Sequence, residues 1–168
     1  MSEPSGEQHR RAAELEAALY EAVGAFVLTF GEIEARSHIC IRLLCRDPEQ
    51  LRKAGEWDFQ KRKTFAAKLI ETREVPDSLR QRWEDTWQRA QKLAEHRNFI
   101  AHGNLLIDAS VPAENQLGVG SFRSLFRTQD FNIKVPKEIE ALTIEARQVV
   151  QEIAALTHEV YLAPVRSS

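Results

Sequence analysis

Cysteine is scarce in this chain, with 2 in 168 residues. Cys40 and Cys45 stand five apart, without a CxxC pair or histidines at ligand spacing, which argues against a disulfide scaffold and against a zinc site. Long apolar runs are missing too: none approaches the roughly 20 residues that span a bilayer. Met1 to Glu7 lacks the basic start and apolar core of a secretory signal, so the expected location is the cytoplasm and no membrane partner is expected. Nor does either charge sign dominate. Lys and Arg total 23 against 25 Asp and Glu, a formal charge of -2, with a pI near 6.2. This argues against binding nucleic acid through bulk positive charge, while leaving room for a local basic groove. HExxH, GxSxG and Walker signatures are absent, and Gly118-Val119-Gly120 has neither the length nor the following helix of a phosphate loop. No metal and no cofactor are therefore expected.

What is present is helical periodicity. Leu15, Leu19, Ala22, Phe26, Phe30, Ile33, Ile41 and Leu44 recur at helical steps, the apolar stripe of one long helix in which Gly31 is a candidate bend or break. Asp47-Pro48 ends that pattern, and a loop through Gly55 and Trp57 leads to a second helix over about Asp58 to Arg73. Pro76 interrupts the chain. Asp77-Ser78, with Gln81 three residues after the serine, resembles a capping box that opens a third helix. In that helix Leu79, Trp83, Trp87, Ala90, Ala94, Arg97 and Ala101 fall in one register, so Arg97 lies on the apolar face. Trp83 and Trp87 share the register and are expected in the core rather than stacked on bases. Trp57, in a loop, is the better stacking candidate.

Gly103 fits a helix stop in the left-handed conformation. After it come short β-prone runs, Leu105 to Ile107, Leu117 to Val119, Phe122 to Phe126 and Phe131 to Ile133, separated by Pro, Gly, Asn and Asp. They predict a small hairpin or meander inserted over roughly 104–135. Pro136 suits a first helical position, and Ile139, Leu142, Ala146, Val149, Ile153, Leu156 and Val160 alternate steps of three and four, a bundle-like period. The expected fold is all-α: a four- to five-helix bundle with a small β-hairpin insertion before the C-terminal helix. It forms one domain over 9–163, between an N-terminal tail of 1–8 and a C-terminal tail of 164–168. Residues 41–100 carry an excess of Lys and Arg, including Lys61-Arg62-Lys63, Arg80, Arg82, Arg89 and Lys92. A solvated helix face is favoured there over an RNA-guiding surface.

The segment Glu95-His96-Arg97-Asn98-Phe99-Ile100-Ala101-His102-Gly103 carries the chemistry. Arginine holds a phosphate oxygen in a planar fork, and histidine moves a proton near neutral pH. Together they supply the minimum for cleaving a phosphodiester, with Asn98 offering an amide to orient phosphate or imidazole. Five helical residues turn through about 500°, which leaves Arg97 and His102 about 140° apart. One helix does not converge them tightly, but two related by a two-fold axis can complete a shared site. Glu34 borders or enters the apolar stripe of the first helix. A buried carboxylate needs a partner, for which Arg97 is the best candidate, and exposure at the helix edge is the equal alternative. His38, one turn on, is a further candidate for that site, although a lone histidine on a helix is more often structural.

Arg-Asn, two further residues and then Ala-His-Gly, near the end of a helix in an α-helical domain of this size, resembles the Arg-x4-6-His motif of HEPN proteins. Phe30-Gly31-Glu32-Ile33-Glu34 is likewise similar to a segment of bacterial HEPN-like proteins. The resemblance covers most of the chain apart from the β insertion and tails. It implies a helical bundle that dimerises with its motifs facing across the interface. It also implies metal-independent endoribonuclease activity on RNA leaving 2′,3′-cyclic phosphate ends, in toxin–antitoxin, defence or RNA-processing systems, with an antitoxin or regulatory protein as partner. By position, Arg97 and His102 would be catalytic, and Asn98 supporting. Where the toxin subgroup has tyrosine two residues after the histidine, this chain has Asn104. A non-catalytic HEPN-like domain that dimerises or binds a nucleotide or partner protein is the alternative, and a basic RNA-binding module the third.

Overall fold

The computed structural model describes residues 6–107, 117–120 and 134–166. Among the described residues five helices and one hairpin follow in order: α1 (Gly6–Leu44), α2 (Pro48–Ala54), α3 (Phe59–Glu71), α4 (Asp77–Ala101), β1 (Asn104–Ile107), β2 (Leu117–Gly120) and α5 (Pro136–Leu162). The fold class is the expected one, all-α with a hairpin before the last helix. The chain divides into two compact units, Met1–Leu28 with His96–Ile144, and Thr29–Glu95 with Glu145–Ser168.

Gly31 does not break α1, which runs through it for 39 residues. A lone glycine weakens a helix by about 1 kcal/mol relative to alanine, too little to interrupt one anchored by buried residues on both sides of it, including Phe26, Phe30, Ile33 and Ile41. Asp47-Pro48 does more than stop α1. The Asp47 carboxylate accepts from the Glu49 and Gln50 amides at 2.8 and 3.4 Å, and Pro48 takes the first helical position, so the expected loop is the seven-residue helix α2. Asp58 caps α3 in the same way, accepting from the Lys61 amide at 2.8 Å. The capping box at Ser78 does not form. The Pro76 carbonyl takes the first bonds of α4, from the Leu79 and Arg80 amides at 3.0 and 3.1 Å, so Ser78 already lies inside the first turn. The Gln81 amide points forward and donates to Asp85 Oδ1 at 2.9 Å.

In the second unit, Phe30, Phe59, Trp83 and Trp87 form an aromatic chain with centroid separations of 5.8 to 5.9 Å. Both α4 tryptophans are 2 % exposed, as their register predicts. Trp57 is half-buried and meets Phe65 edge-on at 5.0 Å. From α5 come Ala146, Val149, Ile153, Leu156 and Val160, all buried. Cys40 and Cys45 are free thiols in this core, and burial pushes the Cys40 thiol up to about 12, where it stays protonated. Much of the basic excess of the middle segment is neutralised here. Arg82 forks onto Glu159 with two bonds of 3.1 Å, and Arg89 reaches Glu152 at 2.7 Å and Glu145 at 3.3 Å. Thr86 adds a 3.0 Å bond to Glu152, so α4 and α5 are zipped by charge along one edge. Past α5 the chain keeps pairing. Glu74 N donates to Pro164 O and Arg166 N to Thr72 O, each at 2.9 Å, while buried Arg73 satisfies the Ala163 carbonyl at 3.1 Å.

In the first unit, Leu19, Ala22 and Phe26 of α1, Ile100 of α4, Val119 of β2 and Ile139 of α5 are buried. β1 and β2 pair antiparallel, Asn104 opposite Gly120 and Ile107 opposite Leu117. Val119 also exchanges backbone bonds of 3.0 and 2.8 Å with Lys134, which brings the chain to Pro136. Glu138 then accepts from the Val135 amide at 3.1 Å and covers an open donor at the start of α5. The candidate strands at 122–126 and 131–133 lie outside the described residues.

Candidate functional site

The motif occupies the end of α4 in the first unit. Arg97 is half-buried, whereas Asn98 and His102 are exposed. The His102 amide donates to the Asn98 carbonyl at 3.1 Å, an i to i+4 bond that carries the α-helical register one residue past Ala101. Gly103 then closes the end with a tighter 3.3 Å bond to the Ile100 carbonyl. The helix stops where the sequence predicts, but not by the predicted device, since none of the described glycines has a positive φ. The i to i+3 bond turns the chain directly towards β1, so no left-handed residue is needed. Asn98 and His102, four residues apart, lie about 40° apart on the outer face. Arg97 is set about 140° from His102, towards the apolar side of the helix. The end of α4 therefore presents Asn98 and His102 on one exposed face and turns Arg97 away from them towards the apolar side.

Glu34 belongs to the second unit and is half-buried there. Its Oε1 accepts from Arg62 Nη2 at 3.0 Å. Arg62 is 5 % exposed, its guanidinium carbon lies 5.8 Å from the Phe59 ring centre, and its Nη1 hydrogen-bonds His38 Nε2. Arg62 thus joins Glu34 and His38, which stand one turn apart on α1. Sequence reasoning read Lys61-Arg62-Lys63 as one charged run. In the structure Lys61 is exposed, Lys63 half-buried and Arg62 buried. The signal was available in register: Phe59, Arg62, Ala66 and Leu69 follow steps of three, four and three, which puts Arg62 on the apolar stripe of α3.

An arginine cannot accept a hydrogen bond, so His38 Nε2 presents its lone pair and the imidazole is neutral, with its proton on Nδ1. Burial lowers the basicity of His38 below the ordinary 6.5, the Arg62 charge lowers it further, and Glu34 partly opposes both. The consequence for stability follows from proton binding. The unfolded chain protonates His38 as pH falls through about 6.5, the folded chain only at lower pH, so between those values the unfolded state binds more protons. Stability is therefore expected to decline as pH falls below 6.5, and His38→Gln to flatten that slope. Urea melts of both proteins between about pH 5 and 7 measure it; parallel slopes would remove His38 as the cause.

Among the described residues no group of three or more His, Cys, Asp or Glu is placed to hold a metal ion, and no helix is long and apolar enough to cross a membrane. No family model, curated protein or solved structure matches the chain.

Proposed function

We propose that this chain is a HEPN-type endoribonuclease that cleaves RNA without a metal ion, through a composite site to which each of two copies contributes Arg97 and His102. The observation that carries this reading is the helical register held through His102. With that register, an exposed imidazole and the exposed Asn98 amide share one face, while half-buried Arg97 precedes them on the same terminal turns. The resemblance of the Arg-Asn-x-x-Ala-His-Gly run to the HEPN motif supports the same assignment.

The chemistry needs three events. The ribose 2′-hydroxyl loses a proton and its oxygen attacks phosphorus; charge gathers on the non-bridging oxygens; the P–O5′ bond breaks and the leaving oxygen gains a proton. Imidazole suits either proton transfer, because it can both accept and donate a proton, and the exposed position of His102 admits substrate. Guanidinium suits the pentacoordinate phosphate, since its planar donors match two oxygens at once. Because Arg97 and His102 diverge by about 140° on one helix, a second copy is the economical source of the complementary group. The products are a 2′,3′-cyclic phosphate and a 5′-hydroxyl. Wild-type protein incubated with end-labelled single-stranded RNA in excess chelator is expected to give these ends, read by whether phosphatase and kinase treatment shifts the fragments. Intact RNA across a broad panel, with the protein folded, would count for the non-catalytic alternative.

A further inference from the structure

A cavity of about 430 Å³ opens in the second unit between α1 and α2, lined by His38, Ile41 and Arg42 of the first helix and by Leu51, Arg52 and Ala54 of the second. That volume falls in the range of small-ligand sites, roughly 300–1,000 Å³. Its walls are of two kinds. Ile41, Leu51 and Ala54 supply apolar surface, whereas the polar side chains that line it, among the described residues, are hydrogen-bond donors. Arg42 and Arg52 can only donate. His38 joins them, because Arg62 takes the Nε2 lone pair and the polar atom left on the imidazole is the Nδ1–H, which has no partner among the described residues.

The charge is as one-sided as the donors. Among the described residues no carboxylate lines the cavity, and neither Arg42 nor Arg52 stands in an ion pair, in contrast to Arg82 and Arg89 of α4. His38 in turn touches Arg62, whose carboxylate partner is Glu34. Three guanidinium groups are thus set against one carboxylate. Surface arginines are most often simply solvated, and both of these occupy the last turn of a helix, where a cation is favourable in any case. That accounts for an arginine at each helix end, but not for the two lining one cavity together with a histidine that can only donate. A phosphate monoester matches this lining. It carries nearly two negative charges at neutral pH and three strong acceptor oxygens, and the guanidinium fork binds phosphate oxygens in pairs. A carboxylate brings one charge and two oxygens, and a bare phosphate leaves the apolar walls uncovered.

We propose that this cavity binds a small organic phosphate, whose phosphate group takes Arg42, Arg52 and the His38 Nδ1–H while its apolar body lies on Ile41, Leu51 and Ala54. The site lies wholly within the second unit and does not rest on the nuclease reading. Isothermal titration calorimetry of the full chain with phenyl phosphate tests it, with benzoate and inorganic phosphate for comparison. Phenyl phosphate is expected to bind with a Kd below about 1 mM, at least about tenfold more tightly than either comparison compound. Arg42→Gln and Arg52→Gln, both at exposed positions, should each weaken binding at least about tenfold. Arg36→Gln, at an exposed arginine of α1 that does not line the cavity, should leave it unchanged. In nitrogen NMR spectra the His38 Nδ1 resonance should move on saturation with phenyl phosphate. Circular dichroism confirms that each variant is folded, and RNA cleavage is scored separately, so a failure of the nuclease reading stays distinct. Absence of binding up to about 10 mM phenyl phosphate, equal binding of either comparison compound, binding that survives both arginine substitutions, or a His38 signal that does not respond would each overturn the proposal. Displacement of phenyl phosphate by single-stranded RNA, lost in the same two variants, would overturn it by reassigning the cavity to a nucleic-acid backbone.

Discussion

His102→Ala is expected to lower RNA cleavage by about 10²–10⁴-fold, the cost of losing a positioned general acid or base, while leaving the fold intact. The second half of that expectation makes the first interpretable. His102 is exposed on the terminal turn, and its backbone bond to Asn98 survives truncation to alanine. Surface substitutions of this kind usually stay within about 0.5 kcal/mol. A variant inactive on RNA, yet melting with wild type, would assign the proton transfer to His102. Arg97→Ala would read less cleanly. Arg97 is half-buried, so truncation mixes lost packing with lost phosphate contact. Arg97→Lys keeps the charge and removes the fork, and its effect separates geometry from simple electrostatics. Full cleavage by His102→Ala would end the proposed role.

The reach of the sequence differed from element to element for physical reasons. Long helices were legible because a stripe repeated over six or seven turns leaves little choice of face: the spacing in α5 identifies Ile139, Leu142, Ala146, Val149, Ile153, Leu156 and Val160, all buried except half-buried Leu142. The hairpin was legible over 105–107 and 117–119, where β-prone residues sit between turn formers. The helix α2 was not, because seven residues make barely two turns and show no period. Moreover, Asp-Pro is at once a stop for the preceding helix and the N-cap and N1 of the next. The Ser78 cap failed for a related reason. A side-chain cap competes with whichever backbone carbonyl reaches the free amides first, and Pro76 lies two residues earlier.

At the candidate site, Arg97, Asn98 and His102 stand out in the sequence because their spacing carries both chemistry and helical phase. Arg62 was missed because composition averages over faces. Three consecutive cations read as a surface run, yet residues one apart on a helix point about 100° apart, so one of three can be fully buried. The test that singled out Arg97, a cation in register with apolar neighbours, also picks out Arg62. Glu34, whose place beside the apolar stripe calls for a cationic partner, accepts from that arginine.

The Glu34–Arg62 pair is expected to show an unequal response to removal of its two members. The Arg62 side chain retains 6 % exposure and that of Glu34 33 %, so water can replace what the carboxylate loses but not what the guanidinium loses. Glu34→Ala strands a buried cation. Its remaining contacts are a neutral imidazole and the face of Phe59, and its Nε has no hydrogen-bond partner among the described residues. Breaking a buried pair in this way costs about 3–5 kcal/mol, which for a chain of this size lowers the melting midpoint by roughly 6–15 °C. Arg62→Met instead keeps most of the buried volume and leaves a carboxylate that solvent reaches, so it should cost less, about 1–2 kcal/mol. The decisive comparison is the double variant. With both charges gone and methionine filling the α3 position, Glu34→Ala/Arg62→Met is expected to be more stable than Glu34→Ala alone, a second substitution repairing the first. Urea denaturation of the four proteins at matched m-values measures the coupling directly. If the double variant is no more stable than Glu34→Ala, the penalty does not come from the stranded guanidinium, and Arg62 is buried for its packing rather than held by its charge.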